Sequence, residues 1–170
     1  MSNYIEISPK EFKENTFKLI GKDWMAITAK SNHGDVNAMT ASWGGMGVMW
    51  AKDVAYVVVR PQRYTKEFID ETDRFSLCFF SDEYKDKLKY FGTVSGRTED
   101  KIVSSGLSVK YENKLPYFDE ANIVVLCNVL YKQDMVKNGF VDEKLINLWY
   151  QNSDYHTLYI AEIEKILIKK

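Results

Sequence analysis

The stretch from Ala38 to Thr65 constrains the fold of this chain more than any other, because it predicts two strands that lead into a basic corner. Small and hydroxyl-bearing residues occupy the end of the first strand, and a β-branched run over residues 54–59 forms the second. The second strand ends in Arg60-Pro61-Gln62-Arg63-Tyr64-Thr65, at the start of a predicted helix. Free backbone N–H groups, the helix dipole and guanidinium groups all favour phosphate, so this corner is predicted to bind an anion.

Three glycines, Gly44, Gly45 and Gly47, separate these two strands. Glycine at such positions is typical of a bulge or of a close backbone approach to a ligand. A plain loop between two strands explains the same residues, and glycines alone do not decide between these interpretations.

Composition limits the class of protein. The chain has 170 residues with 45% hydrophobic and 28% charged residues, which predicts one soluble globular domain over residues 1–170. The formal net charge of -1 argues against a nucleic-acid binder or an anionic-membrane binder, since both need a basic face. We find no signal-peptide pattern and no apolar run of membrane-spanning length, so a cytoplasmic protein with no membrane partner is expected.

The two cysteines, Cys78 and Cys127, each lie in an apolar run. Both thiols are expected to be buried and reduced. A single disulfide between the two cysteines is the alternative. The chain has no CxxC motif and no Cys/His pair with zinc spacing, so no metal site is expected.

Five to seven predicted strands carry most of the apolar residues, with short helices between them. Extended segments, some of them short, are predicted at 4–7, 24–29, 37–43, 54–60, 74–80, 107–111, 122–131 and 157–168, and helices at 8–19, 65–71, 82–91, 100–105 and 142–150. There is no regular βαβ alternation, GxGxxG or GxxxxGK[ST], which argues against a Rossmann domain or a P-loop. A mainly β, antiparallel barrel or sandwich with peripheral helices is expected.

Candidate catalytic residues are few. His33 lies in a turn cluster and is expected to be solvated, whereas His156 directly precedes the last strand, where a structural and a functional role are equally supported. No GxSxG motif surrounds any serine.

A second loop, Ser95 to Lys101, repeats the arginine, hydroxyl and glycine chemistry of the Arg60–Thr65 corner. Any one of these arginines is best explained as a solvated charge. Their joint occurrence with the Thr40–Trp43 stretch favours a phosphate-bearing cofactor, and an aromatic content of 14% suits a flat ring system.

These motifs together resemble the flavin reductase-like family, the FMN-binding split-barrel proteins that include flavoredoxins. The resemblance rests on NAMTASWGG, VRPQRYT, FSLCFF, GTVSGRTEDK and YHTLYIAEI in this order, from about Asn37 to the C-terminus. It implies a six-stranded antiparallel Greek-key split barrel with peripheral short helices. It also implies a homodimer with flavin at the subunit interface.

The resemblance assigns site residues in three groups. Thr40, Ala41, Ser42 and Trp43 would line the isoalloxazine edge. Arg60, Arg63, Tyr64 and Thr65 would approach the ribityl phosphate, and Ser95, Gly96, Arg97 and Lys101 would form a second phosphate-side motif. His156 would lie near the nicotinamide side as the catalytic candidate.

The activity implied by this resemblance is NAD(P)H-dependent reduction of FMN, with hydride passing from nicotinamide C4 to flavin N5. FAD in place of FMN, and NADH against NADPH, stay open. The alternative is a flavoredoxin-like electron carrier that exchanges electrons with a protein redox partner. A binding module for haem is a third class, with only His33 and His156 available as axial ligands.

The chain departs from the family pattern on the substrate side. Asp154 and Tyr155 stand where the family often has glycine or asparagine before the histidine, and residues 136–153 are interpreted as an inserted helix.

Overall fold

The computed structural model describes residues 3–170, and these residues form ten strands. The strands are β1 (Tyr4–Ile7), β2 (Met25–Lys30), β3 (Val36–Ala41), β4 (Gly44–Met49), β5 (Lys52–Val59), β6 (Arg74–Phe79), β7 (Val109–Glu112), β8 (Leu115–Phe118), β9 (Ile123–Asp134) and β10 (Thr157–Lys169). Eight of them form one sheet in the order β3-β2-β6-β9-β10-β5-β4, with β1 paired to β10, and β7 pairs with β8. The recorded strand pairs are antiparallel, which confirms a mainly β antiparallel fold with short helices. The count of six strands is not confirmed.

The helices are short and peripheral. They are α1 (Thr16–Lys18), which continues into a π-helical turn (Leu19–Asp23), α2 (Tyr64–Thr72), α3 (Lys85–Thr93), α4 (Lys101–Ser105) and α5 (Lys144–Trp149). Single 3-10 turns occur at Pro9–Glu11, Asp82–Tyr84 and Lys137–Gly139. Among the described residues, no helix is long and apolar enough to cross a membrane.

The predicted helix over residues 8–19 is wrong, although its start signal is correct. Ser8 and Glu11 form the expected capping box, with the Ser8 backbone N–H donating to the Glu11 carboxylate at 2.9 Å. The turn ends at Glu11 because Phe12 takes an extended backbone and packs against the core. Asn15 then caps a new turn by accepting from the Lys18 backbone N–H.

The glycine-rich segment is a strand rather than a loop. Residues 44–49 form β4 and pair with β5, with Gly44 opposite Val57 and Gly45 opposite Tyr56. A Cβ on Gly44 would lie 2.4 Å from the Tyr56 carbonyl oxygen. The close approach that these glycines permit is therefore to the neighbouring strand.

Apolar side chains pack on both faces of the central strands. In β9, Val125 and Cys127 belong to one buried cluster and Val124 and Leu126 to the other, as alternation along a strand requires. Cys78 lies in the second cluster, so the two cysteines face opposite sides of the sheet. Both thiols are free and buried, as expected, and burial raises the pKa of each.

Strand pairing brings the functional segments together. β10 pairs antiparallel with β5, with Thr157 opposite Val59. Arg60, which follows β5, and His156, which precedes β10, therefore lie at the same end of these two paired strands. The end of β3 and the start of α2 lie at this end of the sheet as well.

Candidate functional site

Two adjoining cavities lie at this end of the sheet. The first, which we call the β3 cavity, has a volume of about 350 Å³ and is lined by Met39, Thr40, Ala41, Ser42, Trp43, Val58, Arg60, Arg63, Trp149 and His156. The second, the α2 cavity, has a volume of about 190 Å³ and is lined by Gln62, Arg63, Tyr64, Thr65, Thr93, Val94, Ser95, Gly96 and Lys101. Arg63 lines both cavities, so the two spaces meet at its side chain.

Aromatic rings form one wall of the β3 cavity. The Trp43 and Trp149 rings meet edge to face, with centroids 4.9 Å apart. The Trp43 ring lies 5.2 Å from the His156 ring. Small residues at the end of β3 also line the cavity, and there the Thr40 hydroxyl donates to the Leu88 carbonyl of α3. Aromatic rings and small side chains therefore share the boundary of the cavity.

His156 is a buried, neutral imidazole. Its side chain is 7% exposed, and burial, with a smaller contribution from the Arg60 charge, lowers its pKa to about 4. The Tyr150 hydroxyl lies 2.7 Å from His156 Nδ1. Burial raises the pKa of Tyr150, so this contact joins a protonated phenol to a neutral imidazole. The same hydroxyl donates to Met135 Sδ at 3.8 Å, and the imidazole tautomer sets the direction of its bond with Nδ1.

Arg60 is held by residues 149–154, which begin at the last residue of α5. Its guanidinium forms an ion pair with Asp154 at 2.6 Å and donates to the Trp149 carbonyl at 2.9 Å. Gln62 donates to the same Asp154 oxygen at 2.9 Å, and the bonds from Gln62 and Arg60 lower the pKa of that carboxyl. Arg60 therefore lines the β3 cavity and is not among the residues that line the α2 cavity.

Two cations border the α2 cavity without a carboxylate partner among residues 3–170. Lys101 is only 3% exposed, and its ammonium donates to the carbonyls of Phe91 at 3.1 Å and Val94 at 3.0 Å. The Arg63 guanidinium donates to Gly92 at 2.7 Å and to Phe91 at 3.0 Å. Burial, and then the Arg63 charge, lowers the pKa of Lys101 to about 8, and burial lowers that of Arg63. Two neighbouring cations of this kind favour an anion in the space beside them.

Asn37 supports this cavity from β3. Its side-chain amide donates to the buried Thr65 hydroxyl at 3.0 Å. Gly96 packs directly on the same amide, since a Cβ there would lie 2.4 Å from Asn37 Oδ1. The residue at position 96 must therefore be very small for the two loops to meet.

Arg97 lies outside the α2 cavity. Its guanidinium pairs with Glu67, donates to the Gln62 carbonyl at 3.0 Å and lies 4.7 Å above the Tyr64 ring. It borders a third, open cavity on the outer side of the loop. The structure thus gathers Arg63, Tyr64, Thr65, Ser95, Gly96 and Lys101 around the α2 cavity, and Thr40, Ala41, Ser42, Trp43, Arg60 and His156 around the β3 cavity.

Asn37, Trp149 and Tyr150 are among the residues at the site that sequence reasoning did not single out. Asn37 gave no signal beyond its place at a strand start, and Trp149 and Tyr150 were interpreted only as the end of a helix. The run of aromatic residues at 149, 150 and 155 close to His156 is the one signal that could have indicated them.

Comparison with known proteins supports a single family. The flavin reductase like domain matches residues 19–170 of this chain. No curated protein sequence matches it significantly. The chain is similar in structure to a flavoredoxin from Methanosarcina acetivorans, with a TM-score of 0.70, 22% identity and coverage of 98% of this chain and 75% of that one.

Two further solved structures share the fold. An FMN-binding domain of a flavin reductases-like enzyme from Shewanella baltica OS155 has a TM-score of 0.70 and 16% identity, covering 99% of this chain and 78% of that one. The styrene monooxygenase flavin reductase from Pseudomonas putida S12 has a TM-score of 0.60 and 17% identity, covering 85% of this chain and 77% of that one. Because the family match extends over most of its length, this chain belongs to the flavin reductase-like domain family.

Proposed function

We propose that this protein binds FMN and acts as an NAD(P)H-dependent flavin oxidoreductase. The FMN phosphate would occupy the α2 cavity and the isoalloxazine ring the β3 cavity. The observation that carries this proposal is the pair of cations, Arg63 and Lys101, that face the α2 cavity without a carboxylate partner among the described residues.

The α2 cavity fits a phosphate monoester in charge and in hydrogen-bonding groups. A phosphate monoester carries a charge of about -1.5 to -2 at pH 7, which two cations neutralise. The hydroxyls of Thr65 and Ser95 border the same space. Helix α2 begins there without a side-chain cap, and the Lys66 N–H bonds the Arg63 carbonyl at 3.0 Å, which leaves the N–H groups of Tyr64 and Thr65 for phosphate oxygens.

The β3 cavity fits a flat ring system. Trp43, Trp149 and His156 supply aromatic surface, and Ala41 and Ser42 contribute only small side chains to the lining. Arg63 joins this cavity to the α2 cavity, so one ligand can extend from ring to phosphate past its side chain.

Bound FMN would supply the redox chemistry, accepting at N5 a hydride from nicotinamide C4. The residues of this chain would hold and orient the two rings. His156, which is neutral at physiological pH, would present its imidazole to the bound rings without adding charge to the cavity.

A flavoredoxin-like electron carrier is the second candidate. Trp149 packs on Trp43 in the lining of the β3 cavity, which leaves less room there for a second ring, and a carrier that exchanges electrons with a protein partner needs no nicotinamide to enter. On the family resemblance we also propose a cytoplasmic homodimer, one domain over residues 1–170, and a curled sheet equivalent to the six-stranded Greek-key split barrel.

An anaerobic titration tests these proposals. The purified protein is loaded with FMN, and its absorption spectrum is recorded before and after NADH and then NADPH. Prompt bleaching of the flavin bands would support the oxidoreductase and identify the donor. Flavin that dithionite reduces but neither nicotinamide reduces would support the carrier, and failure to bind FMN would contradict both.

A further inference from the structure

Helix α5 ends at the opening of the β3 cavity. Trp149, its last residue, lines that cavity and rests on the Trp43 ring at 4.9 Å. The other apolar residues of α5, Leu145, Ile146 and Leu148, do not line this cavity, and Leu148 is 65% exposed. Trp149 is therefore the residue through which the segment 149–154 meets the proposed flavin site.

Arg60 fixes this segment at two points. One guanidinium nitrogen donates to the Trp149 carbonyl at 2.9 Å and the other bonds the Asp154 carboxylate at 2.6 Å. The same guanidinium lies 5.2 Å from the centre of the Tyr150 ring. A charged hydrogen bond, an ion pair and a cation–π contact thus hold residues 149–154 across one side of the opening.

The β3 cavity has few charges to offer a second ligand. Among the described residues that line it, the charged side chains are Arg60 and Arg63. Arg60 is neutralised by Asp154, whereas Arg63 bonds only backbone carbonyls at the end of α3 and also borders the α2 cavity. Once the proposed FMN phosphate pairs with Arg63, a pyrophosphate beside the β3 cavity would meet no further unpaired cation among these lining residues.

We propose that the second ligand of the β3 cavity is recognised through one compact, uncharged ring. In this proposal, Trp149 restricts the part of the ligand that enters the cavity to that ring. The inference rests on the proposed function and defines the substrate class of the same site. The nicotinamide ring of a donor enters, while the adenine dinucleotide portion stays in solvent and adds little affinity. NADH and NADPH are then bound equally well, because no lining cation distinguishes the additional phosphate.

Equilibrium binding to the FMN-loaded protein tests this without turnover. The probes are nicotinamide, a single uncharged ring, and 1,4,5,6-tetrahydro-NAD, a dinucleotide that does not transfer hydride. Difference spectra of the flavin give each dissociation constant. We expect the two constants in the unmodified protein to agree within about threefold, since the dinucleotide portion makes no strong contact.

Two variants should change that ratio. Trp149→Ala opens the cavity and should tighten tetrahydro-NAD relative to nicotinamide by about fivefold or more. Asp154→Asn keeps the side-chain shape but leaves Arg60 unpaired, so it should also favour the anionic dinucleotide. Leu148→Ala, on the same helix but outside the cavity, is the matched control and should leave the ratio unchanged.

The outcomes separate this inference from the proposed function. If the unmodified protein binds tetrahydro-NAD about tenfold more tightly than nicotinamide, or if both variants leave the ratio unchanged, Trp149 does not set the limit. If neither probe binds to FMN-loaded protein, the inference is overturned and the electron carrier is favoured. If FMN itself does not bind, the proposed function fails and the inference fails with it.

Discussion

The Arg63 guanidinium and the Lys101 ammonium bond the same carbonyl oxygen, that of Phe91 in α3, at 3.0 and 3.1 Å. Two cations that share one acceptor repel each other, and burial strengthens the repulsion because water screens it less. Each is bonded to backbone carbonyls, and neither has a carboxylate partner among residues 3–170. An anion in the α2 cavity would relieve this repulsion.

Lys101→Met should separate anion binding from folding. The substitution removes one charge beside the proposed phosphate, so FMN affinity should fall by about 10- to 100-fold. The free energy of unfolding without FMN should change by less than about 1 kcal/mol, because removal of a poorly compensated charge offsets the lost hydrogen bonds. Flavin fluorescence titration and urea unfolding measure the two quantities. Lys89→Met, at an exposed position on α3, is the matched control.

FMN binding should weaken in alkaline solution. The pKa of Lys101 is about 8 in the ligand-free protein, and a neighbouring phosphate favours the protonated ammonium. Above pH 8 binding must therefore take up a proton, and the dissociation constant should rise by up to about tenfold per pH unit. Lys101→Met should lose this dependence. A wild-type dissociation constant that stays flat from pH 7 to 10, about two units above that pKa, would show that the Lys101 charge does not contribute.

His156 should make the protein less stable in acid. Its pKa is about 4 in the folded protein and 6.5 ordinarily, so between these values the unfolded chain binds the additional proton. Stability should therefore fall as pH decreases from 6.5 to 4. In His156→Gln that loss should be smaller by on the order of 2 kcal/mol, as measured by urea unfolding at several pH values. His33→Gln serves as the control for loss of an imidazole. If the free energy of unfolding falls equally with decreasing pH in all three proteins, the buried neutral state of His156 is contradicted.

Gly96→Ala should disturb the α2 cavity through Asn37. The added Cβ would lie 2.4 Å from Asn37 Oδ1, and the amide would have to leave its hydrogen bond to Thr65. We expect a loss of about 1–2 kcal/mol in the free energy of unfolding together with weaker FMN binding. Gly47→Ala is the matched control, because a Cβ at that position meets nothing within 4 Å.

Arg60→Met should release the segment 149–154. Without the guanidinium, the Trp149 carbonyl and the Asp154 carboxylate lose their shared partner. Amide hydrogen exchange in residues 144–154 should accelerate by about tenfold, while β5 and β10 keep their protection. Arg74→Met, which removes an ion pair with Glu164 elsewhere on the sheet, should not accelerate exchange in that segment. Unchanged exchange would mean that Arg60 does not hold the segment in place.

The sequence correctly predicted those strands whose own residues show a β-branched or apolar run. The strand that becomes β5 was correct because its β-branched run carries its own signal, and β10 was placed almost to the residue. β8 was missed, since Leu115–Phe118 is buried throughout and contains a proline, so it shows no alternation. β4 was missed because its glycines fit strand packing against Tyr56 as well as they fit a loop.

The site was predicted in composition and only partly in arrangement. The loops with Arg63, Thr65, Ser95 and Lys101 do converge, because helix starts and loop hydroxyls are visible in the sequence. The ion pair of Arg60 with Asp154 joins residues 94 positions apart and depends on how the segment 149–154 packs. No local pattern specifies such a contact, and the same holds for Trp149 on Trp43.

The most direct test of the account compares FMN with riboflavin, which lacks only the phosphate. Binding of each to the ligand-free protein is followed by quenching of flavin fluorescence at pH 7. If Arg63 and Lys101 hold the phosphate, FMN should bind about 100-fold more tightly than riboflavin, and Lys101→Met should remove most of the difference. Equal affinity for the two flavins would contradict the central claim, because the two cations would then have no role in recognising the cofactor.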